Sequence, residues 1–586
     1  MTLRYRVRLE RIGERLIDVS LTLPPAAVPY RLAIPAWIPG SYMIRDFARH
    51  VVQVEAFRPD GRPHALTWED KQTWVLPASD EPVRLRWAVH ANDLSVRGAH
   101  FDAEHAFFNG TSLFPLWMGH EGTPCELELL APSDEGRAQW RVATGMPSVD
   151  IDEYGFGLYR AENYEALIDY PFEVGNFRLL EFEAGGIPHR MAFTGAHPEA
   201  DLARVARDVA RICTAQLTFF GDPPPFDGYL FLVDVEVDAY GGLEHRNSTA
   251  LVCSQASLPR RGETEPPDAY RQFLGLCSHE YFHSWNVKRI RPQAFMGLPL
   301  ANEAYTRLLW VFEGVTSYYD DLFLRRAGLV DDAGYLELLA GTLNRVFRGQ
   351  GHRCQTLEES SLLAWTKFYK QDENAINALA SYYNKGALVA LMLDLILRTG
   401  PGHGSLDALM RLLWREYGQT GRGLPEGETV ERLAERVGGL KLDEFFAQAL
   451  RTTDELPVVE TLSGFGVSAR WVPEKEGPDF GVIIRADERG EARVAAVHAG
   501  RPAASAGVCA EDVIIAVDGE RVDAASLPAV LARSVARRPV TWTVFRRRRL
   551  REIQVVPADP PANQLRLGPD PAASPEAVAR LRTWLD

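Results

Sequence analysis

Two kinds of hydrophobic periodicity divide the chain. Near the start, apolar and polar residues alternate, as in Tyr5–Glu10 and Val83–Val89, and a period of two is typical of half-buried β-strands. From Leu202 to Ile212 the apolar residues recur instead at intervals of three and four, which predicts a helix with one buried face. The pattern therefore predicts a β-rich part followed by a helical part.

Helical periodicity dominates from about residue 266 to about residue 450. The clearest predicted helices are Tyr305–Arg326, Asp332–Phe347, Ala380–Arg398 and Leu406–Tyr417. After a stretch rich in proline and glycine at 455–478, short β-like runs return at 481–485, 513–517 and 540–544, with a helical segment at Leu527–Val535. These short elements predict a small mixed domain of about 90 residues.

Together the patterns predict a multidomain α+β protein. Its expected parts are an N-terminal antiparallel β domain at 1–170, a mainly helical domain at 171–455, a small mixed domain at 456–560 and a tail at 561–586. The tail is rich in proline and alanine, so it is expected to lie loosely on the surface.

Composition narrows the class of protein. The chain has 586 residues, and its 64 basic and 79 acidic side chains give a net charge of −15, which argues against nucleic acid as a partner. The run Arg546–Arg549 is interpreted as a hairpin tip. The sequence has no CxxC pair and no run of 18 apolar residues, and the charged residues near its start predict no secretory leader, so a cytoplasmic enzyme with no membrane partner is expected.

The strongest chemical signal is His279-Glu280-Tyr281-Phe282-His283. On a helix, residues four apart share a face, so both imidazoles can reach one Zn²⁺ ion. Zinc lowers the pKa of a bound water toward about 7, and Glu280 is placed to take its proton as the general base. The competing interpretation is two half-buried helix histidines with an exposed glutamate.

A zinc site of this type needs a third protein ligand. Glu313 follows Trp310-Val311-Phe312 in a strongly apolar segment, where a carboxylate is costly to bury unless it is paired or bound to a metal. Three other carboxylates compete for the role, Glu303, Asp320 and Asp321, and none of them is as deeply set among apolar residues. The sequence therefore predicts His279, His283 and Glu313 as the metal ligands, against the alternative that Glu313 faces solvent.

Two longer segments are informative beyond the five-residue motif. They are Ser278–Pro292, which surrounds it, and Pro35–Tyr42 with Ile44–Phe47 near the start of the chain. The first resembles the region around the metal motif of the glycyl aminopeptidase family of gluzincin metallopeptidases, and the second resembles the N-terminal signature of that family. The resemblance covers nearly the whole chain. It implies an N-terminal β domain, a thermolysin-like catalytic domain, a C-terminal PDZ domain and a Zn²⁺ cofactor, although 29 residues lie between His283 and Glu313, a longer spacing than in many gluzincins.

The resemblance also implies substrate-binding residues. Gly241-Gly242-Leu243-Glu244-His245 resembles the GxMEN element of gluzincin aminopeptidases, with Leu and His in place of Met and Asn. There the strand pairs with the substrate backbone, so Gly241 and Gly242 are expected to contact it. Glu244 is expected to bind the free α-amine, which fixes the peptide bond that meets the metal. The competing interpretation is a charged turn after a strand.

Tyr382-Tyr383-Asn384-Lys385-Gly386 resembles the YxKG motif of the same enzymes. The resemblance implies that Tyr383 donates a hydrogen bond to the developing oxyanion, with the adjacent Tyr382 as the rival. In the C-terminal unit, Phe480–Ile483 resembles the carboxylate-binding loop of PDZ domains. A peptide is expected in that groove as an added strand, although the unit could instead only pack on the catalytic domain.

The expected function is removal of an N-terminal residue from peptides with a free amine, and the resemblance implies Gly or Ala as that residue. Three alternatives remain at this stage. A gluzincin can also hydrolyse other bonds, such as epoxides, and only substrate screening excludes that. A zinc endopeptidase would use the same metal site, and a PDZ scaffold with an inactive peptidase domain would bind peptides without cleaving them. The sequence predicts no oligomeric state.

Overall fold

The computed structural model describes residues 1–221, 223–264, 267–297 and 299–586. The chain forms two compact units, Met1–Tyr305 with Met410–Pro425, and Thr306–Leu409 with Glu426–Asp586. None of the helices in the described part of the chain combines the length and the apolar character that a membrane span requires.

The first unit begins with a β domain. Its largest sheet contains seven strands in the order Ser148–Ile151, Gly157–Ala161, Cys125–Leu129, Leu3–Arg11, Leu16–Leu23, Val83–His90 and Val51–Phe57. Along Leu3–Arg11, buried and exposed residues alternate as the sequence predicts. The sheet is antiparallel except between Leu3–Arg11 and Cys125–Leu129, which run parallel, so the predicted antiparallel domain contains one parallel pair.

Two four-stranded sheets complete the N-terminal β domain. One contains Leu116–Trp117, Tyr30–Ala33, Thr73–Leu76 and Thr67–Trp68, and the other contains Arg141–Thr144, Phe172–Gly175, His105–Phe108 and Ala99–Phe101. The short helix Gly110–Leu113 connects these two sheets, and the short helix Tyr164–Ile168 connects the seven-stranded sheet to the second of them. Because Phe172–Gly175 pairs with His105–Phe108, the β domain extends past the predicted boundary at 170.

A fourth sheet of the first unit carries the predicted substrate strand. Its five strands are Arg178–Ala184, Ile187–Thr194, Tyr229–Glu236, Ser248–Ser254 and, at the edge, Gly241–Glu244. Helices Leu202–Phe220 and Asp268–Phe282 belong to the same unit. The first helix begins at Asp201, whose side chain accepts the Arg204 amide as an N-cap, and buries the apolar face that the periodicity predicts.

The second unit is helical and then mixed. Its helices before the PDZ domain are Val315–Arg326, Asp332–Phe347, Leu357–Leu362, Ala375–Ala378, Asn384–Thr399, Thr429–Gly438, Asp443–Arg451 and Val458–Ser463, and helix Leu406–Leu413 lies at the boundary between the two units in the chain. Helix Asp332–Phe347 has the predicted bounds. The predicted helix at Tyr305 begins later, with one π-helical turn at Trp310–Gly314.

The PDZ domain forms around its own core, in which Trp542 and Ile514 are buried. Its strands are Val482–Ala486, Ala492–Val497, Val513–Val517, Glu520–Arg521, Val540–Arg546 and Arg549–Val555, and its helices are Pro502–Ala506 and Leu527–Ala532. Arg546 pairs with Arg549 across a tight turn, which confirms the interpretation of the arginine run as a hairpin tip.

The predicted loose tail is wrong. Strand Ala562–Pro569 pairs with Val467–Pro473, and helix Pro575–Leu585 buries Trp584 completely. The Trp584 indole donates to the hydroxyl of Tyr318 at 2.7 Å, and that hydroxyl donates to Asp394 at 2.6 Å. Proline and alanine in this segment therefore accompany a packed strand and helix.

Candidate metal centre

Helix Asp268–Phe282 holds the two histidines of the motif on one face. Its apolar side, which includes Phe273 and Tyr281, is buried, so the opposite side is left for the imidazoles. The His283 amide donates to the His279 carbonyl at 3.2 Å, which continues the helical pattern through the motif. The two ring centroids lie 4.6 Å apart, so both imidazoles point into the same small volume.

A backbone contact fixes the protonation of His283. Its Nδ1 lies 2.7 Å from the carbonyl oxygen of Asn286, and because a carbonyl only accepts, Nδ1 carries the proton. The lone pair is then on Nε2, the arrangement seen in metal-binding histidines. No role was predicted for Asn286, because every residue type carries a backbone carbonyl and the sequence does not show which one accepts this hydrogen bond.

Two buried carboxylates share this volume with His283. Glu244, Glu280 and His283 each offer a ligand atom within 4.8 Å of the others, and all three residues are buried. Two carboxylates this close in a buried site repel each other unless a cation lies between or beside them. The imidazole and carboxylate donors are those that Zn²⁺ takes in proteins, so the site fits the implied metal.

Strand Gly241–Glu244 lies against Glu280. A Cβ atom at Gly242 would come within 2.1 Å of Glu280 Oε1, so only glycine permits this approach. One edge of the strand pairs with Ser248–Ser254, and the other pairs with no strand of the described residues. The guanidinium of Arg97 donates to the Gly242 carbonyl at 3.1 Å. The strand thus offers an edge beside Glu280, as substrate pairing requires.

Glu244 is positioned by the N-terminal β domain. Gly40 has a left-handed φ of 95°, and a Cβ there would lie 2.5 Å from Glu244 Oε2. Glu244 is 3% exposed, and its Oε1 atom has no hydrogen-bond partner among the described residues. A buried carboxylate oxygen without a donor is costly, so this atom is suited to accept from a cationic ligand. Gly40 belongs to the N-terminal signature, so its close approach to Glu244 gives a physical reason for a glycine at this position of the signature.

A buried charge network holds the residues that follow Glu244. Asp169 accepts from the Lys288 ammonium at 2.6 Å, from the Arg246 amide at 2.9 Å and lies 3.4 Å from His245 Nδ1. Burial raises the pKa of the Asp169 carboxyl, but Lys288 and His245 outweigh burial and hold that pKa well below its usual range. Sequence reasoning missed this network, and the only available signal was the basic residues directly after the metal motif.

In the second unit, Glu313 lies in the π-helical turn Trp310–Gly314 and is 2% exposed. Single π turns inside helices are frequent at functional sites. The three rival carboxylates, Glu303, Asp320 and Asp321, are only half-buried. The backbones of Gly314 and Gly386 pack closely, since a Cβ at Gly314 would lie 2.5 Å from Gly386 Cα. Glu313 is therefore held beside the start of helix Asn384–Thr399.

Tyr382 and Tyr383 precede that helix and differ in accessibility. Tyr382 is completely buried, and burial raises the pKa of its phenol well above the usual value. Tyr383 is half-buried, and its hydroxyl lies 3.5 Å from the hydroxyl of Tyr369. Tyr383 is therefore the more accessible phenol of the pair.

Three family matches follow the chain in order. Residues 4–176 match the Peptidase M61 N-terminal domain, residues 272–389 match the M61 glycyl aminopeptidase family, and residues 493–544 match a PDZ domain. The search of curated proteins found no match.

One solved structure is similar to this chain over its full length. The chain is similar to a protein of the aminopeptidase N family from Idiomarina loihiensis, with 40% identity, 100% of both chains covered and a TM-score of 0.94. An M1 zinc metallopeptidase from Deinococcus radiodurans matches with 15% identity over 78% of this chain and 95% of that one, at a TM-score of 0.47. From its three matched domains and its full-length likeness to the Idiomarina protein, the chain belongs to the M61 glycyl aminopeptidase family of zinc metallopeptidases.

Proposed function

We propose that this protein is a zinc aminopeptidase that removes Gly or Ala from the free N-terminus of peptides. The observation that carries the proposal is the buried Glu244 carboxylate, which lies beside Glu280 and His283 and has one oxygen that accepts no hydrogen bond from the part of the chain that the structure describes. A carboxylate there can hold an α-ammonium group next to the peptide bond that is cleaved. An endopeptidase has no use for such an anchor.

We assign the metal ligands to His279, His283 and Glu313. The tautomer of His283, the shared face of the two histidines and the burial of Glu313 support this set. Bound zinc supplies a Lewis acid and lowers the pKa of a coordinated water toward about 7. Gly241 and Gly242 present the strand edge to the substrate backbone.

Three side chains of this site bind the substrate and carry out the proton transfers and the oxyanion stabilisation. Glu244 holds the substrate amine, and Glu280 takes the proton of the attacking water. Tyr383 donates its hydroxyl proton in a hydrogen bond to the carbonyl oxygen as that oxygen gains negative charge. Glu280 finally passes its proton to the leaving nitrogen.

The preference for a small first residue is supported by the packing around Glu244. Gly40 lies close enough to Glu244 that even a methyl group would clash there. Trp37 and Phe295 line the same cavity. A long side chain on the first residue of a substrate would compete with these groups for space.

The PDZ groove is proposed to bind an extended peptide. Phe480–Ile484 and the apolar residues Leu527 and Leu531 line a cavity of about 480 Å³. A cavity of this volume can hold an extended peptide that is added as a strand beside Val482–Ala486.

The test of the proposal is a comparison of free and N-acetylated Gly- and Ala-amide reporters, with and without a chelator. For Glu244→Ala we expect a lower kcat/KM on the free amines. The loss corresponds to about 2–5 kcal/mol of transition-state stabilisation, because the substrate cation loses its buried partner. Hydrolysis of blocked reporters, already slow in the parent, should change little.

The matched control is Glu181→Ala, which removes an exposed glutamate from the first strand of the same sheet. It should leave both rates unchanged. Equal losses on free and blocked reporters in Glu244→Ala would contradict the amine-binding role and favour an endopeptidase.

Tyr383→Phe tests the oxyanion donor. We expect kcat to fall by about 10²–10³-fold with little change in KM, because the hydroxyl acts on charge that develops during the reaction. The matched control is Tyr382→Phe, which removes a buried hydroxyl from the adjacent residue. If Tyr382→Phe gives the larger loss of kcat, the donor is Tyr382.

A further inference from the structure

The N-terminal β domain contains a second cluster of metal-binding side chains, which shares no residue with the candidate catalytic site. Strands Ala99–Phe101 and His105–Phe108 form a hairpin, and its closing turn contains Asp102. The rings of His100 and His105 lie with their centroids 5.0 Å apart, and both residues are buried. His100, Asp102 and His105 each offer one ligand atom within 4.8 Å of the others.

His105 is held in a metal-binding orientation by a carboxylate. Its Nδ1 lies 2.9 Å from Glu173 Oε1, and that same oxygen accepts the hydroxyl of Thr194 at 2.8 Å. Glu173 is itself buried. In carboxylate–histidine–zinc triads, the histidine donates from one ring nitrogen to such a carboxylate and binds the metal through the other nitrogen.

The ring nitrogen of His100 that faces Asp102 is placed to bind the same ion as that carboxylate. Its Nε2 lies 3.0 Å from Asp102 Oδ2. Two donor atoms that each lie about 2.0–2.2 Å from one tetrahedral zinc ion are separated by a similar distance. A zinc ion between these two atoms would replace their hydrogen bond.

The surroundings carry excess negative charge. The cavity at the cluster is lined by His100, His105, Glu173 and the half-buried Asp234. With Asp102, three carboxylates therefore surround two imidazoles. A divalent cation bound to the two rings would offset part of this charge.

We propose that His100, Asp102 and His105 bind a second Zn²⁺ ion. Two imidazoles and one carboxylate are a donor set that zinc takes in proteins, and a hard cation such as Ca²⁺ or Mg²⁺ would instead require mainly oxygen donors. The proposal does not depend on the proposed aminopeptidase activity.

The position of this site gives it a structural role. The loop that enters the hairpin contains Arg97, whose guanidinium donates to the carbonyl of Gly242 in the substrate strand. The Asp93 amide donates to the Ala99 carbonyl at 2.9 Å and closes this loop onto the hairpin. An ion bound by the hairpin would therefore brace the loop that supports the substrate strand.

The test is zinc stoichiometry of the full-length protein. The protein is stripped with a chelator, reloaded with zinc, passed through a desalting column and analysed by inductively coupled plasma mass spectrometry. We expect two zinc ions per chain in the parent and one in His105→Gln and in Asp102→Asn. His120→Gln, a histidine that stacks on Trp117 in the same domain, is the matched control and should keep two.

A variant of the catalytic site separates the two proposals. His283→Gln should keep one zinc ion, and adding His105→Gln should remove it. Reloading His283→Gln with Co²⁺ should give the visible absorption of a low-symmetry cobalt site, which the double variant lacks. One zinc ion in the parent together with none in His283→Gln would overturn the second site, whereas two zinc ions in His283→Gln would contradict only the catalytic ligand set. Asp102→Asn keeps an oxygen for the turn amides of Glu104 and His105, so zinc loss there cannot be attributed to an unfolded hairpin.

Discussion

Glu280→Gln is expected to keep its zinc and lose about 10²–10⁴-fold in kcat. The amide has nearly the same size as the carboxylate, so the close contact with Gly242 is preserved. It cannot take a proton, and the general-base contribution is therefore removed. The measurement is kcat on a Gly-amide reporter, together with the zinc content of the same preparation.

An exposed glutamate provides the control for this change. Glu199→Gln makes the same chemical substitution on the surface of the same unit and should be indistinguishable from the parent. If Glu280→Gln hydrolyses the reporter at a near-normal rate while it holds zinc, Glu280 is not the base. If it loses zinc, Glu280 instead contributes to metal binding.

Glu313→Ala should lose the catalytic metal ion. Removal of a direct ligand is expected to weaken zinc binding by more than the 10–100-fold, about 1.4–2.8 kcal/mol, that removal of an outer partner costs. The affinity is measured by competition with a chromophoric chelator. The parent and Glu313→Ala both carry His105→Gln in this measurement, so that the second proposed zinc ion does not contribute.

Two further variants identify the cause of any loss of zinc affinity in Glu313→Ala. Glu313→Gln retains the volume of the buried side chain, so weak zinc binding in both variants would reflect the missing carboxylate and not a cavity. Glu303→Ala removes a half-buried rival carboxylate and should leave the affinity unchanged. If Glu313→Ala binds zinc as tightly as the parent, the third ligand is another residue.

Local patterns predicted the elements whose periodicity is strong. Alternation at Tyr5–Glu10 and the apolar face of Leu202–Ile212 correspond to observed elements, because burial of one face dominates there. The π-helical turn at Trp310–Gly314 was not predicted, since periodicity does not distinguish an i→i+5 turn from an ordinary helical one. The tail was predicted wrongly because its order depends on a strand partner and on a buried site for Trp584.

The candidate site was predictable to a different degree at each residue. His279 and His283 were predicted from their spacing alone, because residues four positions apart lie on the same face of a helix. Glu244 was identified only through family resemblance. Its packing against Gly40, and that of Asp169 against Lys288, joins residues more than 100 positions apart, and nothing in the local pattern marks such pairs.

The hydrogen bond between Trp584 and Tyr318 constrains when the helix after Glu313 can reach its final packing during translation. The two residues are 266 positions apart, and ribosomes add roughly 5–20 residues per second. About 13–53 seconds therefore pass after Tyr318 is made before its buried partner exists. A nascent chain in this interval lacks the indole that packs on the helix, so the finished enzyme is expected only after helix Pro575–Leu585 has emerged from the exit tunnel.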